Sequence, residues 1–267
     1  WTTTNLQKYV YDFASYNGRI FAGTESWRCY YTENGGINWT QCQDIWEDVM
    51  CFKNIFGILL AGTSQGLYYT TNSGANWIMA QPSSLHVYDI VGEEKLFAGT
   101  DFSGVWSSEN YGTSWTQTSL MNVSVEAMEI NGYSVFAGTF ANGFYVSTNY
   151  GLNWAQRNEG IGNATINSLA IVGYTIFAAT DGMGLWKRPL SDIVNIGSNG
   201  TETPLQFSLE QNYPNPFNPT TFIRFQIFGF GRIRTSSVKI LIYDYLGREV
   251  QTLVDETLSQ GVYQRTF

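Results

Sequence analysis

The chain has 267 residues, 43% of them hydrophobic, with 27 glycines and only 13% charged side chains. That is the composition of a folded all-β protein large enough for a core and an appended domain. A net charge of −8 without Lys/Arg clusters argues against nucleic acid as a partner, and no apolar run is long enough for a membrane span.

From the N-terminus, one pattern recurs. FAGT stands at Phe21–Thr24, LAGT at Leu60–Thr63, FAGT at Phe97–Thr100 and Phe136–Thr139, and FAAT at Phe177–Thr180. A Ser/Thr-x-Asn-x-Gly-x-x-Trp turn follows the first four: Thr32–Asn34–Gly36–Trp39, Thr70–Asn72–Gly74–Trp77, Ser108–Asn110–Gly112–Trp115 and Ser147–Asn149–Gly151–Trp154. Counting from Trp to Trp gives units 1–38, 39–76, 77–114, 115–153 and 154–190, a spacing of the propeller size class. Each unit reads as four short strands of alternating or apolar-rich pattern. In the turn, Asn closes an Asx-turn, Gly accepts positive φ, and the hydroxyl satisfies a loop amide. The Trp covers the turn with a large apolar area.

This pattern resembles the Asp-box (BNR) repeat of sialidase-like and photosystem-assembly-factor-like β-propellers, with Asn in place of the family's Asp in all four boxes. The substitution keeps the turn-forming oxygen and removes a charge, so the boxes read as turn staples rather than cation sites. The fifth unit ends after its third strand, and the chain opens on Trp1, the residue type that begins an outermost strand. The phase therefore predicts that Trp1–Thr4 supplies a fourth strand beside Met183–Arg188 and closes a five-bladed propeller. The rival arrangement is a fragment of a larger propeller.

If the Asn34 turn sets the hairpin register, Cys29 faces Cys42 across two strands, and the pair is either a disulfide or two buried thiols. Cys51 falls on an inner strand without partner ligands, so no metal site is expected, and no motif implies a cofactor. Most aromatics are periodic and read as core: Trp1, Trp39, Trp77, Trp115 and Trp154 share one repeat position. Trp27 and Trp46 are not periodic. With Glu25, Asp48, Asp101, Phe102, Phe140 and Asp181 they fall on loops that strand direction places at one common end of the ring, where they read as a ligand-binding surface. His86 begins an inner strand and reads as a core or rim imidazole. Sialidase chemistry is not expected, because the repeats hold only Arg19, Arg28, Arg157 and Arg188 and lack a Phe-Arg-Ile-Pro motif.

Residues 191–204 are polar and Gly/Ser/Asn-bearing and read as a linker. In residues 205–267, prolines 214, 216 and 219 fix an extended lead-in. Val238–Asp244, Arg248–Val254 and Gly261–Phe267 then read as consecutive antiparallel strands of a sandwich. The runs YPNPFNPTT, VKILIYDYLGREVQTLVD and LSQGVYQRTF resemble the type A C-terminal sorting domain of the type IX secretion system, an Ig-like fold. The chain stops at Phe267, where that family continues. The resemblance implies export to the cell surface or the medium and an export-machinery partner. The reading that results is an all-β chain, a five-bladed propeller followed by an incomplete Ig-like sandwich. It acts as a non-catalytic binding or structural module for a carbohydrate or a cell-surface protein, with self-association through unpaired strand edges left open. The alternative is a glycoside hydrolase using a carboxylate pair on the loop-bearing end.

Overall fold

The computed structural model describes residues 2–26, 28–194, 208–209, 211–213, 215, 220–227, 235–259 and 261–267. Trp27 and most of the proline-rich run at 214–219 lie outside the described residues. The chain divides into two compact units, Trp1–Val194 and Asn195–Phe267.

The first unit is a succession of small antiparallel sheets, each joined strand to next strand. The first holds β1 (Val10–Tyr16), β2 (Arg19–Thr24), β3 (Arg28–Thr32) and β4 (Thr40–Gln41); the second β5 (Val49–Ile55), β6 (Ile58–Thr63), β7 (Gly66–Thr70) and β8 (Ile78–Ser83). The third holds β9 (Val87–Gly92), β10 (Leu96–Thr100), β11 (Gly104–Ser108) and β12 (Thr116–Gln117); the fourth β13 (Val125–Asn131), β14 (Ser134–Thr139), β15 (Gly143–Ser147) and β16 (Ala155–Gln156). The fifth has three strands among the described residues, β17 (Ile166–Val172), β18 (Thr175–Thr180) and β19 (Gly184–Pro189). The first strands line up as neighbours, β1 on β5, β5 on β9, β9 on β13 and β13 on β17.

The Asn turns are built alike. In each, the Thr or Ser hydroxyl donates to the Asn Oδ1 at 2.9–3.0 Å and accepts the Gly N–H at 2.9–3.1 Å. The same Oδ1 accepts a second donor, the backbone N–H of Asn38, Asn76, Ser114 or Asn153, at 2.9–3.0 Å. The side-chain oxygen works only as a double acceptor, which an amide satisfies as well as a carboxylate. That is why Asn serves here.

Glycines in the second strands and in the Asn turns set the distance between sheets. A Cβ on Gly74 would stand 2.6 Å from Phe21 of the preceding unit, and one on Gly112 2.5 Å from Leu60; Gly151 meets Phe97 in the same way. In the other direction, a Cβ on Gly23 would stand 2.6 Å from the Val49 carbonyl, on Gly62 2.8 Å from Val87, on Gly99 2.8 Å from Val125 and on Gly138 2.5 Å from Ile166. Each sheet is thus pressed onto the next at backbone distance, and Phe21, Leu60, Phe97 and Phe136 are fully buried.

Among the described residues the expected closing strand is not formed. Trp1 lies outside the described residues, and residues 2–4 carry no strand. Thr4 instead stands against the first Asn turn, 3.1 Å from where a Gly36 Cβ would be, and the Asn5 amide donates to the Ile37 carbonyl at 2.8 Å. The reason is local: at Gly36 the N-terminal segment fills the place that Phe21, Leu60 and Phe97 fill at the other three turns. Nor does β17 pack back on β1 as the other inner strands pack on one another. The first four residues of the run read as linker, 191–194, continue from Leu190 in regular structure. Together with it they form helix α1 (Leu190–Val194), whose Leu190 and Ile193 are buried, Ile193 against a cavity of about 60 Å³ shared with Phe144, Ile161, Ile176 and Trp186.

Cys29 and Cys42 are joined by a disulfide across β3 and the strand end beyond β4, with Cα atoms 5.2 Å apart. Cys51 is a buried free thiol.

In the second unit, β20 (Ser208–Leu209), β21 (Phe222–Ile227) and β24 (Gly261–Thr266) form one sheet in the order β20-β21-β24, and β22 (Thr235–Tyr243) pairs with β23 (Glu249–Ser259) in another. Phe225 and Ile227 from one sheet meet Val254 and Leu258 from the other in a small core. The strands are therefore not all paired consecutively, because β24 crosses to β21. The β22–β23 turn is fixed by Asp244, whose Oδ1 accepts the Leu246 and Arg248 N–H groups at 2.9 Å each and whose Oδ2 meets Arg248 Nε at 2.7 Å.

The close approach at the turn glycines is open to measurement. Gly112→Ala combines a φ of +83° with the Leu60 contact and is expected to lower stability by about 2–4 kcal/mol in chemical denaturation. Gly18→Ala, with a φ of +78° and open space around it, is expected to cost only about 1–2 kcal/mol. Equal losses would show that the contact between units contributes nothing.

Candidate functional site at one end of the sheets

The residue after each β2-type strand donates its N–H to the residue just before the innermost strand. The pairs are Glu25 to Tyr9 at 3.0 Å, Ser64 to Asp48 at 2.9 Å, Asp101 to His86 at 2.9 Å, Phe140 to Ser124 at 2.9 Å and Asp181 to Thr165 at 3.0 Å. Immediately beyond, every inner strand slips register against its neighbour by one residue. Tyr11, Met50, Tyr88, Glu126 and Asn167 are the residues skipped, each a β-bulge that re-aims its side chain. Three sets of five equivalent positions therefore crowd one end of the unit.

The carboxylates there feel one another. Burial raises the Tyr11 phenol, and the charges of Glu25 and Asp48 raise it further. Burial pushes the His86 imidazole below its ordinary range, against the opposing pull of Asp101 and Asp48. The ring stacks on Tyr88 with centroids 4.4 Å apart, and its Nε2 is buried with no hydrogen-bond partner. Tyr88 is raised by burial and by Asp101 and Glu126. Glu126 itself is raised by burial and by the charges of Asp101 and Asp181. Asp101 Oδ1 accepts the Ser124 hydroxyl at 2.7 Å. Glu25, Asp48, Asp101 and Asp181 thus belong to one electrostatic neighbourhood, to which Glu126, His86, Tyr11 and Tyr88 must be added. A shared repeat position was the signal available for Tyr11, Tyr88 and Glu126, hidden by the bulge, which breaks the two-residue alternation.

Trp46 stands 58% exposed with the Arg28 guanidinium 4.9 Å over its ring. Its N–H is held by Glu47 Oε2 at 2.9 Å. Glu47 also hydrogen-bonds Tyr68, whose phenol is pushed up by burial and that carboxylate to about 12. Phe102 and Phe140 project into solvent on their loops. Trp27 lies outside the described residues. Among the described residues, no group of three or more His, Cys, Asp or Glu side chains is arranged to hold a metal ion. A carboxyl raised by burial and by neighbouring carboxylates, as Glu126 is, is a candidate general acid.

No family model matches this sequence, and no curated protein does. Solved structures match at the level of fold. The extracellular domain of BT4673 from B. thetaiotaomicron aligns with a TM-score of 0.58 at 15% identity over 93% of this chain and 39% of that one. The GH74 xyloglucanase from Xanthomonas campestris aligns at 0.58 and 13% identity over 82% and 42%. YCF48 bound to D1 peptide aligns at 0.51 and 14% identity over 70% and 67%. The chain spans about two fifths of the first two. These neighbours are β-propeller-like, and the present chain is an all-β protein of that kind. Among the described residues, no helix is long and apolar enough to cross a membrane.

Two further carboxylates lie deeper and are structural. Asp12 Oδ2 accepts the Phe52 N–H, and Asp89 Oδ2 the Met128 N–H, each at 2.7 Å and each across to the next inner strand. Burial lifts Asp89 to about 6, against its bonds from Met128 and Ile90, with Glu129 adding to the rise and Lys53 opposing it. A carboxyl raised in the folded state stabilises most below its unfolded value, and that stability is lost as pH rises through about 6. The wild type is therefore expected to lose up to about 3 kcal/mol between pH 4 and 6.5 through this group. Asp89→Asn should flatten that slope in denaturation curves taken across the window; an unchanged slope would assign it elsewhere.

Proposed function

We propose that residues 1–194 are consecutive propeller blades, five in this chain, acting as a non-catalytic binding module. An Ig-like type IX sorting domain in residues 205–267 exports it to the cell surface or the medium. The observation that carries this reading is the pooled charge of Glu25, Asp48, Asp101, Glu126 and Asp181 at one end. Their repeat equivalents include Ser64, Phe140, Met50 and Thr165, so the rim is chemically irregular over a periodic scaffold. Repeat folds place recognition on such irregular rims. A D1 peptide bound to YCF48 supports a protein ligand, and the GH74 likeness supports a glycan. The raised Glu126 favours a second reading, a glycoside hydrolase with Glu126 as acid and Asp101 or Asp181 as its carboxylate partner.

An array of neutral glycans, acidic glycans and peptides, with product analysis on every hit, separates the two. Retention without product, weakened about ten-fold by Asp48→Asn or Asp101→Asn, is expected. Turnover abolished by Glu126→Gln would transfer the assignment to the enzyme. For export, a chain lacking residues 205–267 is expected to stay inside a bacterium that has type IX machinery, whereas the full chain reaches the surface or medium. Equal export of both would remove the sorting role.

A further inference from the structure

We infer that Trp46 is a stacking subsite for the ring of a neutral sugar, an inference that deepens the binding reading above and rests on it. Among the described residues, the indole is a large aromatic at the acidic end that is both exposed and fixed in place. Arg28 lies over one face, Glu47 holds the Trp46 backbone N–H, and Glu47 is in turn bonded to Tyr68. Arg28 is itself tied to Gln41 Oε1, and its own strand is bridged at the next residue by the Cys29–Cys42 disulfide. With one face covered and more than half of the side chain accessible, the opposite face is left to a ligand, and little side-chain entropy remains to be lost on binding.

The surroundings select the ligand class. Glu47 and Asp48 follow Trp46 directly in the chain, and Asp48 and Glu25 act together on Tyr11. An anionic ring would be repelled by all three carboxylates. A cation would meet an indole whose quadrupole already serves the Arg28 guanidinium, and would lie across one ring from that charge. What remains is an uncharged ring with an apolar face for the indole and hydroxyl donors for the carboxylates. A pyranose has both.

Isothermal titration of the full chain with cellohexaose, mannohexaose, xylohexaose, hexagalacturonate and hexalysine tests this. A neutral hexasaccharide is expected to bind, Trp46→Ala to weaken it at least about ten-fold as loss of an aromatic anchor does, Trp46→Phe to stay within about three-fold, and Arg28→Met to fall between. Near-ultraviolet circular dichroism and melting confirm that each variant is folded. Binding of a neutral sugar that Trp46→Ala leaves unchanged but Asp101→Asn abolishes would overturn the subsite and leave the binding reading standing. Preference for hexalysine or hexagalacturonate, or no neutral sugar bound, would overturn it as well. Only a failure of every ligand on the wider array to bind this end would remove both.

Discussion

The constraint on which the first unit depends is the absence of a side chain at the second-strand and Asn-turn glycines of the first four repeats. One glycine in the second strand lies under the next inner strand, and one glycine in the Asn turn lies on the preceding unit's Phe or Leu. The two contacts run in opposite directions along the chain, so the second, third and fourth sheets are clamped from both sides at a distance where a single methyl group does not fit. Interiors this dense respond to even one added carbon. The Asn turn has the role of holding its glycine at that point: the Thr or Ser hydroxyl bonds the glycine N–H while the Asn oxygen gathers the flanking donors.

The repeat, the strand count of the first four sheets and the turn chemistry were legible because each rests on local pattern. The register that sets Cys29 opposite Cys42 was legible for the same reason, since a tight turn fixes pairing on both sides of it. The bulges were not. One skipped residue per inner strand moves Tyr11, Tyr88 and Glu126 off the alternation that sequence reading relies on. The crossing of β24 to β21 was also hidden, because β24 continues in sequence from β23 and only packing of Phe225 with Tyr263, whose rings stack at 5.5 Å, favours the non-consecutive partner. Of the rim residues read from loops, Glu25, Asp48, Asp101 and Asp181 share a field, whereas Phe102 and Phe140 stand apart on their exposed tips.

Carboxylates in this chain do two kinds of work that composition alone does not separate. Asp12 and Asp89 each span two inner strands and accept backbone N–H groups, and Asp89 bears the cost of burial for doing so. At the rim, Asp101 accepts the Ser124 hydroxyl, and the charges of Asp101 and Asp181 act on Glu126. Mutual repulsion among groups at a wet, partly buried end is an expense the fold does not need, since the equivalent positions tolerate Ser64, Phe140 and Thr165. The scaffold therefore does not require these carboxylates, which is a physical reason to place recognition at this end.

The same steric rule bears on a separate contact, how closely β1 can approach the fifth sheet. At the position of Gly23, Gly62, Gly99 and Gly138 the fifth repeat has Ala179, which turns FAGT into FAAT. Each of the four glycines faces an inner-strand residue of the following unit at a spacing no Cβ can share. Ala179 carries that Cβ, so an inner strand such as β1 cannot approach the fifth sheet as closely as the other sheets approach one another. On the same face Val172 and Leu185 are 67% and 70% exposed, and the residue that betrays this is a single methyl group in a motif that otherwise repeats.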